Sequence, residues 1–153
     1  MLKAKEIMSK ELITVSPEMD IVEAARLLLD KGINGVPVVE RGRLVGILCQ
    51  SDLIALQKVL QLPSVFTLLD GFVPLGSITK LEKTIQRMAA TKVSEAMTSN
   101  PVTARPETTV EELASLMVDK KYHTIPIVDQ GKLVGVVGKE DILRTLMPGG
   151  KAD

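Results

Sequence analysis

Hydrophobic positions along the chain follow one pattern that is written twice. A short apolar stretch, "ITVSP" (13–17), ends at proline, which fixes φ and removes a donor. In "DIVEAARLLLDKG" (20–32), Ile21, Ala24, Ala25 and Leu28 recur on one helical face. Two near-continuous apolar runs follow, 36–39 and 44–48, joined by "ERGR". The glycine of that link supplies the positive φ of a tight hairpin. Runs without polar alternation predict strands covered on both sheet faces. A second helix is expected to start near residues 51–52. The unit reads β-α-β-β-α.

The second copy lies 89 positions further on, without a gap. Met8 pairs with Met97, Pro17 with Pro106, Pro37 with Pro126, Gly46 with Gly135 and Asp52 with Asp141. About a third of positions 8–54 are identical to their counterparts. "VTARP" (102–106) repeats the first segment, and Val110, Leu113, Ala114 and Met117 repeat the helical face. Asp20 with Glu23, and Thr109 with Glu112, have capping-box spacing. One unit covers only one face of its own sheet, so the second copy must supply the other cover. The expected fold is α+β (α/β in element order), with two pseudo-symmetric repeats packed through their sheets. The expected spans are repeat one at 1–55, a partly helical insert at 56–92, repeat two at 93–147 and a tail at 148–153.

These residues carry a resemblance. The chain resembles the CBS-domain family, whose tandem pair is called a Bateman module. The carrying features are the hydrophobic-Pro-hydrophobic strands (Val36-Pro37-Val38 and Ile125-Pro126-Ile127), the glycine hairpins, and a glycine followed six residues later by aspartate. The resemblance implies a sensor rather than an enzyme. It implies an adenosyl ligand of the AMP, ADP, ATP or S-adenosylmethionine type in clefts between the repeats, and a homodimer that pairs through its helices.

The family's motif runs Gly, hydrophobic, any residue, Ser or Thr, two residues, Asp; here it reads "GILCQSD" (46–52) and "GVVGKED" (135–141). The resemblance makes Asp52 and Asp141 acceptors for a ribose diol. Each opens a helix, where backbone N–H groups favour phosphate. The same two acids also suit first-turn helix caps. Gly46 and Gly135 would let a ligand or backbone approach closely. Thr14 and Thr103, ending the first strands, would bond an adenine edge or ribose. Cys49 and Gly138 replace the family's hydroxyl, which weakens an anion contact by about 1.5–3 kcal/mol. Lys139 would compensate in the second site, with Arg105 near it in sequence, while the first site has the neutral Gln50. The second site is therefore expected to hold phosphate better, or the first to prefer an uncharged adenosyl group. His123, the only histidine, is expected on a strand edge lining the cleft, whereas Tyr122, aligned with Ile33, is expected in the core.

Composition narrows the classes. The 153-residue chain has a formal net charge of zero, without the basic surplus of a nucleic-acid binder. One cysteine excludes an internal disulfide and suits a reducing compartment. The N-terminus "MLKAKEIMSKELITV" lacks a secretory apolar run, and no stretch reaches the ~18 apolar residues of a membrane span. A cytoplasmic protein is expected. No Ser-His-Asp set, P-loop or metal-ligand spacing appears, so neither catalysis nor a metal is expected.

The insert has no repeat counterpart. Phe66, Leu68, Leu69, Phe72, Val73 and Leu75 form an apolar stretch, and Ser77 precedes a helical face of Ile78, Leu81, Ile85 and Met88. Two readings stay open: a linker packed on the domain, or an interaction surface that would make the protein a ligand-independent scaffold.

Overall fold

The computed structural model describes residues 1–60 and 91–148, with residues 59–60 described by their backbone only. The insert's apolar stretch and the helical face expected after Ser77 lie outside the described residues. In chain order the elements are α1 (Ala4–Ile7), α2 (Ile21–Lys31), β1 (Gly35–Glu40), β2 (Arg43–Cys49), α3 (Gln50–Leu60), α4 (Val93–Ala96), β3 (Thr98–Ser99), α5 (Val110–Lys120), β4 (Thr124–Asp129), β5 (Lys132–Gly138) and α6 (Lys139–Arg144). The fold is the expected mixed α+β pair of repeats. α3 runs past residue 55, where the first repeat was expected to end.

Each repeat is built on a hairpin. β1 pairs antiparallel with β2 from Gly35 opposite Cys49 to Glu40 opposite Arg43, and β4 pairs with β5 from Thr124 opposite Gly138 to Asp129 opposite Lys132. Arg41 and Gly42 (φ 51° and 79°), like Gln130 and Gly131 (φ 50° and 79°), turn the hairpins through two successive positive φ values. The first four residues of β1 and of β4 are all buried, as continuous apolar runs require.

The segments 13–17 and 102–106 differ from expectation. Neither is a full strand. Each makes one parallel bridge, Val15 to Val38 and Ala104 to Ile127. The Val15 N–H donates to Pro37 O (3.1 Å) and the Val39 N–H to Val15 O (2.9 Å). Pro37 has no N–H to extend this ladder, and Pro17 ends the segment. Thr14 and Thr103 therefore lie in exposed irregular chain rather than at strand ends.

The sequence repeats are not the packing units, because the two halves exchange their leading segments. β3, from the second repeat, pairs with β2, placing Gly46 opposite Ser99 and Ile47 opposite Thr98. Val93, Ala96 and Met97 pack with Ile21, Leu28, Val36, Val38 and Leu48 in one core. Ala4, Ile7 and Met8 pack with Leu113, Ile125, Ile127 and Val137 in the other, and Ser9 bridges to Val136. Backbone bonds fix both exchanges. Ala4 N–H donates to Thr108 O (2.7 Å) and Val110 N–H to Leu2 O (3.0 Å); Val93 N–H donates to Met19 O (2.9 Å) and Ile21 N–H to Thr91 O (2.9 Å).

The strand glycines serve this exchange. A Cβ on Gly46 would sit 2.7 Å from Met97 Sδ and 2.9 Å from Thr98 O, and one on Gly135 would collide with Met8 Sδ and lie 2.8 Å from Met8 Cγ. The space expected to admit a ligand beside Gly46 and Gly135 is filled by the arriving methionines. Exchange also changes a helix start. Asp20 gives its carboxylate to Lys92 Nζ (2.6 Å) and makes no capping bond, so its expected box is absent. Thr109 faces the corresponding Lys3, but has no carboxylate to draw it and Lys3 pairs with Glu107 (2.8 Å), so Thr109 forms the box with Glu112 (3.1 and 3.2 Å).

Gly135→Ala is therefore expected to destabilise the fold by about 1–3 kcal/mol through overpacking against Met8. Urea denaturation followed by circular dichroism measures it. A midpoint equal to the parent's would show that Met8 is not seated there.

Candidate functional site

Both strand–helix junctions lack a loop: Cys49 ends β2 and Gln50 opens α3, while Gly138 ends β5 and Lys139 opens α6. This places Asp52 and Asp141 third in their helices, facing back toward the sheet. Asp52 accepts from Cys49 N–H (2.8 Å, Oδ2) and from Thr98 Oγ1 (3.2 Å, Oδ1). Asp141 accepts from Gly138 N–H (2.8 Å, Oδ2) and from Arg144 Nη1 (3.1 Å, Oδ1). The first-turn capping role weighed as an alternative is thus real for both. One bond to each oxygen leaves lone pairs for a further donor, so capping and ligand contact are compatible.

Each aspartate lines a cleft between the halves. The Asp141 cleft, about 290 Å³, has Ile13, Lys31, Ile33, Asn34 and Pro37 on one wall. Thr124, Val136, Glu140 and Arg144 stand on the other, with Ser9 and Glu11 at the exchanged segment. The Asp52 cleft, about 420 Å³, has Ile47, Cys49, Gln50 and Ile54 facing Lys121, Tyr122, His123 and Lys139, with Asn34 and Thr98 between. Most of these residues correspond through the 89-residue offset: Ser9 with Thr98, Ile33 with Tyr122, Asn34 with His123, and Val136 with Ile47. Volumes of this size suit a small ligand. A wider groove of about 840 Å³ lies between the hairpin turns, but it includes neither aspartate.

The structure brings together part of the predicted set. Asp141, Gly138 and Pro37 meet in one cleft, and Asp52, Cys49, His123 and Lys139 in the other. Lys139 stands on the Asp52 cleft, not the Asp141 cleft where sequence order put it, because α6 starts beside the wall that ends at His123; its N–H donates to His123 O (3.0 Å). Val36 and Ile125 point into the cores, and Pro126 is buried away from both clefts. Gly46 and Gly135 face methionine side chains. Thr103, with Arg105, belongs to a hollow beside the second hairpin, and Thr14 lines neither cleft. Tyr122, expected in the core, is half-buried on the Asp52 cleft.

Sequence reasoning missed Lys31, Lys121, Thr98 and Arg144. Thr98 was hidden by the exchange. Arg144 had a signal, since it stands three residues after Asp141, on the same helical face.

Burial, chiefly, and the nearby Asp52 carboxylate push the Cys49 thiol up to about 11, so it is neutral at neutral pH. Burial raises the Asp141 carboxyl, opposed by the Gly138 N–H and by Arg144. Among the described residues no group of three or more His, Cys, Asp or Glu side chains is placed to hold a metal ion. None of the described helices is long and apolar enough to cross a membrane.

Two pseudo-symmetric halves with an acid at each strand–helix junction define a tandem-repeat module. The CBS-domain family profile matches residues 4–58 and 93–148, and the chain belongs to that family. It is 32% identical to the uncharacterised protein MJ1426 of Methanocaldococcus jannaschii, covering 94% of this chain and 90% of that protein. It is similar to the crystal structure of CBSX2, an Arabidopsis thaliana protein, in complex with AMP (TM-score 0.71, 27% identity, 95% of this chain and 96% of that one). It is equally similar to the CBS domain pair of protein MJ0100 in complex with 5′-methylthioadenosine and S-adenosyl-L-methionine (TM-score 0.71, 28% identity, 95% and 96%).

The raised thiol gives a pH prediction. An unfolded cysteine ionises near ~8.5, so between there and about 11 the unfolded chain releases this proton first and the group lowers stability as pH rises. Alkylation of native Cys49 by iodoacetamide is expected to accelerate steadily from pH 9 to 11. A rate that levels off by pH 9 would contradict the burial of this thiol.

Proposed function

We propose that the chain is a non-catalytic regulatory CBS pair that binds an adenosyl ligand between its repeats and signals through the packing of its halves or of two protomers. The observation that carries this reading is the pair of junction aspartates, each with free lone pairs, in clefts walled by both halves. The complexes of the two solved relatives with AMP and with methylthioadenosine and S-adenosylmethionine support the ligand class. In each cleft the carboxylate accepts from the ribose hydroxyls, while Ile33 or Tyr122 offers an apolar face for the base.

A ligand spanning both walls favours the arrangement of halves to which it binds better, and its differential affinity limits the shift. The helices carry exposed apolar residues for self-association: Leu29 on α2, Ile54 on α3, Val118 on α5 and Leu143 on α6. These support a homodimer through the helical face.

Calorimetric titration with AMP, ADP, ATP and S-adenosylmethionine tests the reading. At least one is expected to bind, and Asp141→Asn or Asp52→Asn should weaken its own cleft by about tenfold. No heat and no thermal shift from any of the four would reject the adenosyl assignment. Light scattering is expected to give twice the 16.6 kDa chain mass; a monomer at high concentration would remove the dimer from the mechanism.

A further inference from the structure

The repeat allows the two clefts to be compared position by position. After α2 the wall of the Asp141 cleft is Gly32, Ile33 and Asn34; after α5 the corresponding wall of the Asp52 cleft is Lys121, Tyr122 and His123. The chain's one tyrosine and one histidine thus lie side by side on a single cleft. Lys121 holds φ at 58°, where the first repeat has Gly32 at 62°. A lysine is strained in this left-handed region and a glycine is not, so a cation is kept at a position that glycine suits better. Lys139 adds a second cation to the same cleft.

The charge balance follows. Two lysines face one carboxylate, Asp52, in the larger cleft. In the smaller cleft three carboxylates, Glu11, Glu140 and Asp141, face Lys31 and Arg144, and Arg144 is already bonded to Asp141. Sequence order suggested the reverse, because it assigned Lys139 to the wrong cleft.

We infer that the two clefts sort adenosyl ligands by charge: the Asp52 cleft takes a 5′-phosphorylated nucleoside, its phosphate held by Lys121 and Lys139 and its base against Tyr122, and the Asp141 cleft takes an uncharged thioether or cationic sulfonium nucleoside. The inference rests on the adenosyl reading above and assigns a ligand class to each of its sites. Desolvation of a phosphate needs paired cations, which the Asp141 cleft has neutralised among its own acids.

The test replaces Lys121 and Lys139 by the residues found at the same places in the first repeat, K121G/K139Q. Glycine relieves the strained φ, so the variant is expected to melt no lower than the parent. Calorimetry is run with AMP and with 5′-methylthioadenosine. AMP affinity should fall by roughly tenfold or more and lose much of its salt dependence, while methylthioadenosine should change by less than about threefold. Ring-labelled tyrosine gives NMR signals from Tyr122 alone, and these should move on AMP saturation of the parent. AMP affinity unchanged by the swap, or Tyr122 signals left in place by bound AMP, would overturn the sorting while leaving adenosyl binding intact. Failure of the parent to bind AMP or 5′-methylthioadenosine would overturn the sorting, and failure to bind ADP, ATP and S-adenosylmethionine as well would overturn the adenosyl reading on which it rests.

Discussion

The contact on which the molecule depends is a methionine laid over a strand glycine, made twice. Met8 crosses Gly135 and Met97 crosses Gly46, and each methionine comes from the opposite sequence repeat. Since a Cβ at either glycine would overlap the methionine side chain, the strands stay bare where the exchanged segments pass. Each core is then completed by α1 or α4 from the other repeat. Neither half has a whole core of its own, so the two fold as one cooperative body.

The clefts are a consequence of this arrangement. Sheets that pack through one face, with the leading segments crossing over, leave two hollows related by pseudo-symmetry. Each strand–helix junction delivers an aspartate to one of them, held from behind by a backbone N–H. The exchanged segment adds a polar side chain to the rim: Thr98 bonds Asp52, and Ser9 stands in the corresponding place beside Asp141. In the proposed function, a ligand at either aspartate would touch both halves, and its binding would act on how they pack.

Pseudo-symmetry also lets the two sites diverge. The backbone framework is common, since Gly32 and Lys121 hold nearly the same φ and the hairpins turn alike. The side chains on it are free to differ without disturbing either core, because wall positions such as Lys121 and His123 are exposed. Charge, aromatic character and thiol chemistry separate the clefts where the fold does not.

Much of this was legible along the chain. Periodicity located α2, α5 and both hairpins, and the doubled glycine–aspartate spacing placed both acids at helix starts, because local chain geometry fixes those features within a few residues. The family, too, followed from motifs that stand close together. What sequence order concealed is non-local. The segments at 13–17 and 102–106 resemble strands but have room for one bridge each, beside a strand interrupted by proline. Asp20 and Thr109 share a spacing, yet Lys92 draws one of them away from its cap. The glycines that a motif assigns to ligand contact receive methionine, and Lys139 and Tyr122 join the cleft of the other repeat's aspartate. Residue pattern determines which elements form, since hydrogen bonds and side-chain periods act over short separations. Which half a segment completes, and which cleft a side chain faces, was decided by burial between residues from 51 (Gly46 and Met97) to 127 (Met8 and Gly135) positions apart.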